Sequence, residues 1–190
     1  MNVYDFDKTI YDGDSTADFY IFSLKKHKKM LLLSPSLIWA FFKFYVFKRG
    51  TKTKFKEKMY GFLKYCNIPD EVDEFWNINK TKIKDFYIKN QKSDDVIISA
   101  SPEFLLVPIC NQLKIKHLIA SVVDSKSGKY TGINCHGAEK VRRFYEVFSN
   151  GNIDEFYSDS YSDSPLANIA NKAFIVKGNE LLNWDFTKDK

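Results

Sequence analysis

Apolar and polar positions fall into two regimes along this chain. Residues 2–6 form a short apolar, β-prone run that ends in Asp5-Phe6-Asp7, the pattern of a buried strand delivering carboxylates at its C-terminal edge. Residues 96–100, Val-Ile-Ile-Ser-Ala, make a second such run. Ser101-Pro102-Glu103 then predicts an N-cap, a proline at the first helical position and a first-turn acid, opening a helix that runs to about Leu113. Strands are predicted at 117–123 and 130–134 around the turn-forming residues 124–128, which reads as a hairpin. Residues 138–149 carry helical spacing, with Val141, Phe144, Tyr145 and Phe148 on one face, and two more strands fall at 155–158 and 173–176. Strands alternating with helices predict an α/β fold with a mostly parallel, doubly wound sheet.

Residues 13–92 differ in kind. They show helix-period apolar patterns and no strand alternation, so they read as a helical insertion, with residues 1–12 and 93–190 forming the sheet-bearing core. Within the insertion, residues 30–47 are nearly as long as a minimal membrane span. Ser34-Pro35-Ser36 interrupts that stretch and Lys43 sits inside it, so the bland reading is a helix buried in the insertion. The lysines at Lys25 to Lys29 and the Lys48-Arg49 pair would also suit an interfacial surface meeting anionic headgroups, a peripheral membrane contact.

Charge sharpens this division. Residues 13–92 hold 17 Lys/Arg against 8 Asp/Glu, a net of +9, whereas the remainder holds 12 against 16. A basic segment inserted in an acidic chain draws anionic ligands toward it. The aromatic share of 16%, with 17 Phe and 11 Tyr, supports a packed core rather than disorder. Three widely spaced cysteines argue against a disulfide framework or a thiolate metal site, and the chain opens without a signal-peptide pattern, so a reduced, cytoplasmic setting is expected.

Four pieces carry candidate chemistry. Asp5-Phe6-Asp7-Lys8-Thr9 places two carboxylates at a strand end, where they are hard oxygen ligands suited to Mg²⁺. Ser99-Ala100-Ser101 sets a hydroxyl beside backbone N–H groups at a helix N-terminus, an anion site or simply a helix cap. Lys140, near the start of the helix after Gly137, would neutralise a phosphoryl group, although a lone helical lysine is more often solvated. Tyr157-Ser158-Asp159-Ser160-Tyr161-Ser162-Asp163 carries two acids four apart, with Asp159 suited to a metal shell and Asp163 to orienting a ligand water or Lys140. The alternative for this last run is a capped turn.

Each piece is weak alone, but their order and their position at strand ends resemble the haloacid dehalogenase superfamily over essentially the whole chain. The motifs are DFDKT, Ser99, Lys140, and Asp159 with Asp163; the long insertion resembles the helical cap of the phosphoserine phosphatase-like branch. The resemblance implies a Rossmann-like core and a phosphoaspartyl mechanism, with Asp5 as nucleophile and Asp7 as general acid and base. It implies Mg²⁺ held by Asp5, Asp159 and the Asp7 carbonyl, with Asp163 beside them, and phosphate met by Ser99, Lys140, Ser101 and the amides of Phe6, Asp7 and Ala100. Asp14 lies where phosphoserine phosphatases carry a substrate-contacting Glu. Two positions depart from the pattern. Lys8 stands where many relatives have Gly, and His136 rather than Lys precedes Gly137, which leaves His136 as an alternative to Lys140.

The expected substrate is a small phosphorylated metabolite, phosphoserine-like, or a lipid phosphate. The insertion has many lysines and only one arginine, Arg49, so no bidentate clamp for an amino-acid carboxylate stands out. The rival reading is a non-catalytic protein binding nucleic acid or another anionic ligand on the same scaffold. It leaves the acid and hydroxyl motifs unexplained, so no nucleic-acid partner is expected.

Overall fold

The computed structural model describes residues 1–188. Its centre is a six-stranded sheet of β1 (Asn2–Tyr4), β2 (Val96–Pro102), β3 (His117–Ser121), β4 (Ile153–Ser158), β5 (Ala170–Lys177) and β6 (Glu180–Asn183), in the order β3-β2-β1-β4-β5-β6. The first five strands are parallel and β6 is antiparallel to β5. β1 lies in the middle, and the chain builds first to one side of it and then to the other. That reversal opens a crevice beyond the carboxyl ends of β1, β2 and β4, the usual ligand position in open α/β sheets.

Side-chain alternation gives each face of the sheet its own core. Val3, Val96, Ile98 and Phe156 point to one face and pack with Phe144 of helix α7 (Ala138–Val147) and Leu166 of the short helix α8 (Ser164–Ala167). Tyr4 and Ile97 point to the other, where they join Leu105 and Leu106 of α6 (Glu103–Gln112). The same apolar cluster continues into the helices that precede it in the chain. It takes in Phe19 of α1 (Ser15–Lys26), Tyr60 of α3 (Lys52–Tyr60), Phe75 and Trp76 of α4 (Ile68–Asn79), and Tyr87 of α5 (Asp85–Asn90). The basic region is therefore all-helical between β1 and β2, and it shares a core with one sheet face. Trp76 Nε1 donates to the Leu105 carbonyl at 2.6 Å, His27 meets Glu71 at 2.7 Å, and Asp12 N–H donates to Lys82 O at 2.8 Å, tying outgoing and returning segments together.

Four expectations are corrected by the structure. The helix after β2 does not use Ser101 as its cap: the strand runs through Pro102, and the Ser101 hydroxyl is spent on Asp7 instead. The hairpin at 117–134 reduces to a single bridge between Val123 and Tyr130. The turn itself forms, with Asp124 N–H donating to Lys129 O, but Tyr130 N–H donates to Glu57 of α3, which pulls the returning segment out of the sheet. Residues 30–47 do not form one buried helix. They break into a 3₁₀ stretch (Lys28–Leu33), α2 (Ser34–Phe41) and a π-helical turn (Phe42–Val46), with Leu31, Leu32, Trp39, Phe41, Val46 and Phe47 exposed. Finally, β6 was not anticipated, because Leu181 and Leu182 are both exposed and show no alternation. No described helix is long and apolar enough to cross a membrane.

Candidate active site

Asp5 leaves β1 still paired, its N–H donating to Tyr157 O at 2.9 Å. The Phe6 carbonyl then accepts from the N–H groups of Ile10 and Tyr11, closing a tight loop, while the Phe6 ring is fully buried against Tyr11 and Trp76. Lys8 sits in this loop with φ +58°, the left-handed conformation that glycine adopts without strain, which is why Gly suits this position in the branch the chain resembles. The Lys8 carbonyl accepts from Lys84 Nζ at 2.6 Å, and the same ammonium donates to Gly178 O at 2.6 Å. Thr9 ties the loop to the far side of the crevice by accepting from Asp159 N–H at 3.0 Å.

These elements enclose a cavity of about 280 Å³. It is lined by Asp5, Asp7, Lys8, Asp14, Ser99, Ala100, Ser101, His136, Lys140, Asp159 and Asp163, so nine of the ten site residues singled out from the sequence, with Lys8 and His136 as well, meet at one place, while Phe6 is buried outside the lining. Lys140 is the best-anchored of them. Gly137, at φ +60°, turns the chain into α7, and Lys140 one turn later points inward on the face of buried Phe144. Its Nζ lies 2.7 Å from Asp5 Oδ1 and 2.7 Å from Asp163 Oδ2. Asp163 Oδ2 also accepts from the Ser158 hydroxyl at 2.8 Å. His136 also lines the cavity.

On the opposite wall, Asp7 accepts from Ser15 N–H at 2.7 Å and from the Ser101 hydroxyl at 2.5 Å. Ser101 Oγ lies 3.1 Å from Thr16 Oγ1, and Ser101 N–H donates to the Ser99 hydroxyl at 3.1 Å. Asp14 caps α1, accepting from Ala17 N–H at 2.9 Å, and also lines the cavity. Sequence reasoning missed Lys56 of α3, whose Nζ donates to the Ala100 carbonyl at 3.1 Å, as well as Thr16 in the cavity wall and Lys84 behind the loop. Nothing in the local pattern marks these residues: a lysine on a basic helix becomes informative only once the helix is docked.

Burial dominates the electrostatics. It pushes the Asp5 carboxyl up to about 7 while Lys140 pulls it down, and it raises Asp7 and Asp159 as well. The two carboxylates beside Lys140 hold its ammonium charged against the same desolvation. Five carboxyls face three lysines in this cavity, an excess of negative charge that fits a divalent cation. Asp5 and Asp163 each turn one carboxylate oxygen to Lys140, and together with Asp159 they are hard oxygen donors that could hold such an ion. Among the described residues, the group of three whose ligand atoms lie within 4.8 Å of one another is His27, Cys66 and Glu71, and none of these lines the cavity.

The sequence profile of the haloacid dehalogenase-like hydrolases matches residues 3–168, which includes all of these side chains. The chain belongs to that family. A probable phosphatase of Mycobacterium tuberculosis (strain ATCC 25618 / H37Rv) is 34% identical over 90 residues, 44% of this chain. The match spans only 31% of that relative's length. Among solved structures, a protein of unknown function from Bordetella pertussis Tohama I superposes with a TM-score of 0.73 at 19% identity, covering 91% of this chain and 87% of the other. A phosphoserine phosphohydrolase-like protein from Francisella tularensis subsp. tularensis SCHU S4 gives 0.55 at 16% identity, with 91% and 86% covered. Similarity at these identities establishes that the haloacid dehalogenase fold is shared.

Proposed function

We propose that this hydrolase cleaves phosphomonoesters through a phosphoaspartyl intermediate on Asp5. The observation that carries the reading is Asp5 itself: a buried carboxylate at a strand end, held by Lys140 and facing a cavity rimmed by hydroxyls and lysines. Asp5 attacks phosphorus and the ester oxygen leaves with a proton from Asp7. Asp7 then takes a proton from the water that hydrolyses the acyl phosphate, and Asp5 is restored. The raised pKa of Asp7 favours the protonated form that the first step needs. Ser99, Lys140 and the amides of Phe6, Asp7 and Ala100 would meet the phosphoryl oxygens, and Ser101 holds Asp7 in place. Asp14, at the mouth, would contact the rest of the substrate.

Asp5, Asp159 and the Asp7 carbonyl would hold Mg²⁺, with Asp163 acting from behind through Lys140. Bound there, the ion supplies positive charge that offsets the repulsion between an anionic nucleophile and an anionic phosphate. Residues 13–92 act as a cap on a core of residues 1–12 and 93–190, a division supported by Thr16 and Ala17 of α1 and Lys56 and Met59 of α3 lining the cavity. The substrate is a phosphorylated small molecule. The test is hydrolysis of an aryl phosphate by the wild type and Asp5→Asn, with Mg²⁺ and with chelator. Turnover that requires both Asp5 and the metal is expected, and equal activity in Asp5→Asn would overturn the mechanism.

A further inference from the structure

Beside the polar cavity lies a larger apolar groove of about 580 Å³. Three helices wall it: Ala17 and Ile21 of α1, Ile38 and Phe41 of α2, and Phe55 and Met59 of α3. On each helix these residues fall at i, i+3 or i+4 spacing, so every helix turns an apolar stripe inward to the groove. Ala17 and Met59 line both, so the two spaces abut at α1 and α3.

Helix α3 divides the two spaces by chemistry. Lys56 faces the carboxylate cavity, Phe55 faces the groove, and Met59 lines both. No arginine lines the polar cavity among the described residues, and Arg49 sits instead at a separate pocket with Trp39 and Lys43. The part of a substrate that extends beyond its phosphate therefore meets hydrocarbon rather than a clamp for a second charged group. Half of the exposed large apolar side chains among the described residues lie between Ile21 and Phe47, and Ile21, Ile38, Phe41 and Phe42 among them line this groove. An apolar surface this concentrated marks a binding site far more often than chance exposure.

From this adjacency we propose that the substrate is an amphiphilic phosphomonoester, its phosphate at Asp5 and its hydrocarbon tail along the groove between α1, α2 and α3. The proposal rests on the phosphomonoesterase reading of Asp5 and specifies the substrate of that site. A groove of this size is in the range that encloses a drug-sized or single-chain apolar ligand.

The experiment compares n-alkyl phosphates of increasing length, from butyl to dodecyl and all below their micellar concentrations, with glycerol 3-phosphate and phosphoserine as tailless probes. Burial of successive methylenes is expected to raise kcat/KM at least about tenfold from butyl to dodecyl. Ile38 and Ile21 are 57% and 50% exposed, so Ile38→Asp and Ile21→Asp spare the core. In each variant the dodecyl-to-butyl ratio of kcat/KM should fall toward one. A flat series alongside Asp5-dependent aryl phosphate hydrolysis would overturn the tail proposal and leave the Asp5 reading standing. Loss of hydrolysis of every phosphate would remove both. A flat series together with a dimer that Ile38→Asp dissociates would assign the groove to a second copy of the chain, and so would also overturn the proposal.

Discussion

Lys140 reaches Asp5 from 135 residues downstream, its Nζ 2.7 Å from Oδ1, with both side chains buried. The same ammonium holds Asp163 at equal distance, so one cation compensates two carboxylates inside the protein. Taking one member out of such a group leaves charge buried without a partner.

Lys140→Met should therefore destabilise the protein by about 3–5 kcal/mol at pH 8, read from urea unfolding. The sign of its pH dependence follows from the carboxylates. Without the lysine, the Asp5 carboxyl, already raised by burial, has a folded-state pKa raised further above its unfolded one. An acid raised in this way favours its protonated form in the fold, so stability falls as pH rises between the two values. The variant's deficit should be smaller at pH 5 than at pH 8. A deficit independent of pH would mean that the carboxylates do not depend on Lys140.

Ser101→Ala tests the other wall. The hydroxyl donates to Asp7 at 2.5 Å, and Ser101 serves as a positioning residue for that carboxylate. Loss of one such bond should change stability by only about 1 kcal/mol. In an aryl phosphate assay, kcat is expected to fall about tenfold with KM nearly unchanged, because the proton donor loses its orientation rather than the substrate its contacts. A rise in KM at constant kcat would move Ser101 to the phosphate site instead.

The parallel strands were legible in the sequence because each is a short apolar run whose last residues are polar, and the motifs sit where those runs stop. Asp5, Ser99 and Asp159 could be placed in this way, whereas Lys140 lies on helix α7 and could not. What was not legible depends on docking. Tyr130 looks like a strand residue until Glu57 of α3 takes its N–H, and Ser101 looks like a helix cap until Asp7 takes its hydroxyl. Both are competitions for one hydrogen bond between a local partner and a distant one, and only the fold brings the distant partner near. Lys56 and Lys84 were indistinguishable from a dozen neighbouring lysines until their helices packed against Ala100 and Lys8. Exposure of residues 38–47 was equally hidden, since apolar composition is the same for a core helix and a binding groove.

Asp159→Ala should act on the metal rather than the fold. Asp159 is half-buried, its carboxylate kept from a still higher pKa by Lys8 and Lys140, and its N–H remains bonded to Thr9 whatever the side chain. Removing a hard oxygen donor should raise the Mg²⁺ concentration for half-maximal activity by about tenfold or more, with the unfolding midpoint in the absence of metal little changed. An unaltered magnesium titration would take Asp159 out of the site.

Asp95 offers a stability test that is independent of catalysis. It is buried just before β2, with Oδ2 accepting from Lys92 N–H at 2.8 Å and Oδ1 enclosed without a partner. Burial pushes its carboxyl up to about 6. Because the folded value lies above the unfolded one, the wild type loses stability as pH rises from about 4 to about 6 and then levels off. An asparagine cannot ionise, so Asp95→Asn escapes that loss. Its unfolding free energy relative to wild type should be about 1–2 kcal/mol more favourable at pH 8 than at pH 4. Parallel stability profiles across that range would show that Asp95 is ionised in the fold at no cost, with its charge compensated by its surroundings.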